Sequence, residues 1–163
     1  MYKLYEILEY ENDFVIYAFL RYYNISYLEA KLIFKQTLKW LYLCNLKKNN
    51  REYDNIELMI TNDIIIIDEM WHTFILCTAD YTAFCDKFFQ SYIHHLPNVT
   101  IPETHKSVVS IDRNKIINDF AVKYRKLLEF ILNNIDEDTV QLWFVDFAER
   151  YSNNELQKIY KKG

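Results

Sequence analysis

The sequence predicts an all-α fold, a single-domain bundle of several helices over residues 1–163. Three observations predict it: glycine is nearly absent, apolar residues recur at helical spacing, and aromatic side chains are abundant. Glycine occurs once, at Gly163. Tight hairpin turns favour Asn-Gly or Asp-Gly, so a hairpin-rich β protein is disfavoured. The same count excludes phosphate-cradling loops, dinucleotide fingerprints and the nucleophile elbow, all of which need glycine where backbone approaches a ligand or takes positive φ. A hydrophobic fraction of 51% and an aromatic fraction of 17% exceed what a disordered chain carries, and 163 residues suffice for one core formed without a cofactor.

The elements follow in order. After Asp13, the run from Phe14 to Leu20 is apolar almost all round and reads as a short buried helix ending near Asn24. Ser26 with Glu29 three residues on is a capping-box pattern. It opens a helix over 26–47, with Ala30, Ile33, Phe34, Leu38, Leu41 and Cys44 opposite Lys31, Lys35 and Lys39. Residues 47–54 form a polar loop. The isoleucines of 56–67 leave a short hairpin open there, because β-branched residues favour strands. The preferred reading is a helix from Asp63 to Cys77 with Ile64, Ile67, Trp71, Phe74 and Ile75 on one face. Thr78 caps the next helix, which carries Tyr81, Phe84, Cys85 and Phe88. Pro97 and Pro102 mark a loop within the domain. Ile116, Phe120, Tyr124, Leu127 and Ile131 then space a helix, and Val140, Trp143, Phe144, Phe147 and Tyr151 a last major one after Asp138.

The net charge is −4, with 19 basic residues scattered among 23 acidic ones. Such a balance gives no counterion-release drive toward nucleic acid and no attraction to anionic lipid, so a basic protein partner is the expected one. Phe14 to Leu20 is too short for a membrane span, and the mixed charges before it do not make a signal peptide. An odd number of cysteines, Cys44, Cys77 and Cys85, suits a reducing, cytoplasmic compartment.

Three of the four histidines and two of the three cysteines fall between Trp71 and His95. On a helix, Asp68 and His72 at i,i+4 share one face, so the carboxylate either joins the imidazole on a metal or orients it through its second nitrogen. Cys77 lies about 140° around that helix from His72 and falls on another face. An antiparallel return of the next helix brings Cys85 and the His94/His95 pair back toward His72. The candidate ligands are therefore His72, Cys85 and one of His94 or His95, with Asp68 in direct contact or behind them, a set suited to zinc or another borderline metal. A purely structural reading stands beside it: His72 bonded to Asp68 in a core, Cys77 and Cys85 as small apolar fillers, and His94 and His95 meeting the carbonyls of a helix end.

The run Asp68-Glu69-Met70-Trp71-His72-Thr73-Phe74-Ile75-Leu76, followed by Tyr81, Phe84, Cys85 and His94-His95-Leu96-Pro97, resembles the helical region of the glycine-rich domain-containing protein-like family. Residues 138–144 with Arg150 and Tyr151 resemble the C-terminal part of its bacterial members. The resemblance implies a helical domain with an Asp/Trp/His/Tyr/Cys/His motif. The pattern there often reads Trp-His-x-His, whereas this chain has Phe74 at the second histidine position, and the glycine-rich tail is absent.

The sequence thus leads to the expectation of a non-enzymatic cytoplasmic protein-binding domain with a structural metal at the central motif, one form of which is an immunity or antidote protein for a toxin, since an acidic surface steers onto a basic active site. The alternative is a zinc-type enzyme using His72, Cys85 and His94 or His95, with an open coordination position for water.

Overall fold

The computed structural model describes residues 2–95 and 113–161. Its helices are α1 (Leu4–Leu8), α2 (Asp13–Leu20), α3 (Tyr27–Asn49), α4 (Ile65–Leu76), α5 (Thr78–Phe89), α6 (Arg113–Asn134), α7 (Glu137–Gln141), α8 (Phe147–Arg150) and α9 (Asn153–Ile159). Among the described residues no strand forms. Pairing is confined to an isolated antiparallel bridge between Tyr23 and Tyr160, which brings the segment after α9 back beside the end of α2. The hairpin left open at 56–67 does not occur: residues 56–61 lack regular structure, 62–64 make a 3₁₀ turn, and α4 follows. Burial decides this, because Ile64, Ile66 and Ile67 are all fully enclosed in the core, and packing outweighs the strand preference of β-branched residues.

Helix α3 is the axis of the bundle, packed by α1, α2 and α4. Ser26 Oγ accepts from the Glu29 amide at 3.1 Å and caps its start. The Glu29 carboxylate instead accepts from Arg150 Nη2 at 2.6 Å and from the Tyr151 hydroxyl, tying the start of α3 to α8. The lysines expected to face solvent are also tertiary ties. Lys31 pairs with Glu11 at 2.7 Å, Lys35 donates to the carbonyls of Leu8 and Tyr10, and Lys39 donates to Thr139 Oγ1 at 2.6 Å. Helix α3 is consequently covered on more faces than its apolar stripe announces, down to the buried Gln36, which accepts from Trp143 Nε1 at 2.9 Å.

Several boundaries differ from expectation. Asn12 caps α2, and Phe14 and Tyr17 on that helix are exposed, so it is not buried all round. Thr78 is the first residue of α5 and not its cap. Asp136, not Asp138, caps α7, its side chain accepting from the Thr139 amide. From Glu137 to Arg150 the backbone stays helical, but a π turn at Leu142–Asp146 widens it. That widening lets Trp143, Phe147 and Tyr151 all reach the core. On α6, Leu127, Phe130 and Ile131 are buried, whereas Ile116, Ile117 and Phe120 are exposed. Helices α1 and α9, too short to register as periodicity, were not expected.

Candidate metal centre

Helix α4 presents Asp68 and His72 one turn apart, as the i,i+4 spacing requires. Helix α5 runs back from it and stops at Phe89. Gln90 takes the left-handed conformation (φ 55°) that more often falls to glycine at a helix end. The chain then passes through residues 91–95 without regular structure and returns over α4.

That strap delivers His95. Its Nε2 lies 2.7 Å from Asp68 Oδ1, while His72 Nδ1 lies 3.7 Å from Asp68 Oδ2. The two imidazole centroids are 4.5 Å apart. One ligand atom from each of Asp68, His72 and His95 falls within 4.8 Å of the other two. The side chains of His95 and Asp68 are 15% and 21% exposed and that of His72 49%, so the cluster is closed on the strap side and open at His72.

The layer beneath is aromatic. The Trp71 ring meets His95 edge-on, with centroids 4.3 Å apart. The buried Trp71 Nε1 donates to the Tyr81 hydroxyl at 3.0 Å, and that hydroxyl donates to the Ile93 carbonyl at 2.7 Å. Burial pushes the Tyr81 phenol far above its ordinary range and keeps it protonated.

Of the expected ligand set, Cys85 stands apart from the converging groups, and one histidine of the pair joins them. Cys85 is fully buried on α5 against the Ile93 backbone and the Tyr81 hydroxyl, burial pushes its thiol up, and it is not one of the three converging groups. It packs under the strap instead of reaching the cluster. Of the histidine pair, His95 turns in, and His94 is exposed with its ring against Tyr92. Asp68 joins the group directly. Phe74, where the resembled pattern has histidine, is fully buried among Tyr10, Phe34, Tyr81 and Phe84, on a different side of α4 from His72. The part of Trp71 and Tyr81 in holding His95 was not foreseen. Both belong to the quoted motif, but their contact depends on how α4 and α5 pack.

A family model described as UCP032817-like matches residues 12–125, more than half of the chain. The chain belongs to the UCP032817-like family. The UCP032817-like match contains Asp68, Trp71, His72, Tyr81 and His95 and ends within α6, before the α7 to α9 segment. No curated protein and no solved structure matches the chain. Among the described residues, no helix is long and apolar enough to cross a membrane.

Proposed function

We propose that this UCP032817-like chain is a metal-dependent helical domain in which Asp68, His72 and His95 hold zinc or a similar divalent transition metal and leave one coordination position facing solvent. The observation that carries the reading is the convergence of two imidazoles and a carboxylate from two separate chain segments. The donor set suits such an ion. Bonds of about 2.0–2.1 Å in a tetrahedral zinc site place ligand atoms roughly 3.3 Å apart. The separations from Asp68, 2.7 Å to His95 and 3.7 Å to His72, run to its two different oxygens, and one ligand atom from each residue lies within 4.8 Å of the others, so binding asks the three side chains to draw together around the ion.

Three protein ligands and an exposed edge at His72 match a site that acts on a bound molecule better than a closed structural one. Zinc in such a site lowers the pKa of its bound water to about 7, and hydrolysis is the reaction class this supports. In that reading Asp68 and the histidines hold the ion, and the strap keeps water from the Trp71 side. Exposed Ile116, Ile117 and Phe120 on α6 favour a second reading, a protein partner, which the net charge of −4 suits best if basic. The free cysteines accord with a reducing, cytoplasmic setting.

Titration calorimetry of the untagged protein with zinc tests the metal reading. One equivalent is expected to bind, and to bind measurably more weakly in Asp68→Ala and His95→Ala. Binding of less than about a tenth of an equivalent, with no gain in melting temperature, overturns it, since a specific ligand of the native state must stabilise that state.

A further inference from the structure

We infer that Tyr81 is the positioning residue of this centre: its single hydroxyl fixes both supports of His95, and so sets whether the strap delivers a third ligand. The inference rests on the metal-binding reading above. His95 is the one ligand not on α4, and its place depends on the path of the strap and on the surface it rests on. Tyr81 Oη reaches both. It donates to the carbonyl of Ile93, two residues before His95, and it accepts from Trp71 Nε1, whose ring meets the His95 imidazole.

Asp68 and His72 need no such help, because their spacing is fixed by the helix they share. Tyr81 is fully buried, and its ring packs edge-on against Phe74 and Tyr92, so the hydroxyl is held in place by packing on both sides. The neutral phenol is both donor and acceptor, which the two bonds together require. Partners that orient a metal ligand without touching the metal commonly change affinity by about 10–100-fold when removed.

The test is a double-mutant cycle between Tyr81→Phe and His95→Ala, read by zinc calorimetry and by the visible spectrum of the Co(II) form. Tyr81→Phe keeps the ring and removes the hydroxyl. It is expected to weaken zinc binding at least about tenfold, to move the Co(II) spectrum toward that of His95→Ala, and to cause no further loss in the His95→Ala background. Phe130→Leu, a core change elsewhere, should lower the melting temperature without changing either readout. Unchanged affinity in folded Tyr81→Phe, or an equal loss with and without His95, overturns the inference. Should Tyr81→Phe not fold, Trp71→Phe removes the other bond of the same hydroxyl while leaving a ring under His95, and the same cycle decides. A wild-type protein that binds neither metal refutes the metal reading itself, a result distinct from a wild type that binds and a Tyr81→Phe variant that binds equally well.

Discussion

His72→Ala separates a metal centre from a structural hydrogen bond, because the two assign His72 opposite importance. Without metal, His72 contributes little. Its Nδ1 stands 3.7 Å from Asp68, beyond hydrogen-bond range, and its side chain is 49% exposed. A pair of that kind is worth at most about 1 kcal/mol. Alanine recovers up to about 0.7 kcal/mol through its helix propensity. The metal-free melting temperature should therefore stay within about 2–4 °C of wild type, the change expected per kcal/mol in a chain of this length. With free zinc at about 100 times Kd, the wild type gains about 2.7 kcal/mol, or roughly 5–11 °C. A variant binding about a hundredfold more weakly has free zinc equal to its Kd and gains only about 0.4 kcal/mol. Thermal unfolding of both proteins, with and without zinc, reads the difference. The reasoning is refuted if His72→Ala keeps the full zinc-induced rise, or if it costs several kcal/mol in the absence of metal.

Two further predictions concern the ties around α3. Tyr151→Phe removes a buried hydroxyl bonded to the Glu29 carboxylate, but Arg150 still pairs with that carboxylate. The loss should fall near the low end for bonds to charged groups, about 1.5 kcal/mol. Differential scanning calorimetry should show a fall of about 3–6 °C, and no fall would mean that the Tyr151 tie adds nothing to the Arg150 pair. Asp136 is held below its ordinary value of 3.8: burial opposes this, but the Thr139 hydroxyl and amide and the nearby Lys39 outweigh it. A depressed carboxylate contributes stability that is fully present above its unfolded value and fades as pH falls through the folded one. Asp136→Asn should accordingly flatten the loss of stability below about pH 3.8 and leave its slope at neutral pH unchanged. An acid unfolding curve parallel to that of wild type would refute this.

Helix existence was legible in the sequence wherever periodicity was long. The spans of α3, α5 and the buried end of α6 follow from apolar spacing, and the single glycine at the chain end excluded the turns that hairpins need. Less legible was what the polar residues of those helices do. Lys35 and Lys39 occupy the face that periodicity assigns to water, yet the carbonyls of Leu8 and Tyr10 and the hydroxyl of Thr139 on α7 lie over them. Periodicity describes one helix at a time and does not show what arrives on its other side.

The candidate site divides in the same way. Asp68 and His72 were fixed by the sequence itself, because a separation of four residues on a helix places two side chains together whatever surrounds them. The choice of His95 over His94, and the exclusion of Cys85, belong to the tertiary structure. They depend on where α5 stops, on the left-handed turn at Gln90, and on the Trp71, Tyr81 and Ile93 bonds that draw the strap across α4. Those contacts join residues ten or more apart in the chain, and only the packing of α4 against α5 brings them within reach. Local geometry supplied two members of the candidate site, and long-range packing selected the third.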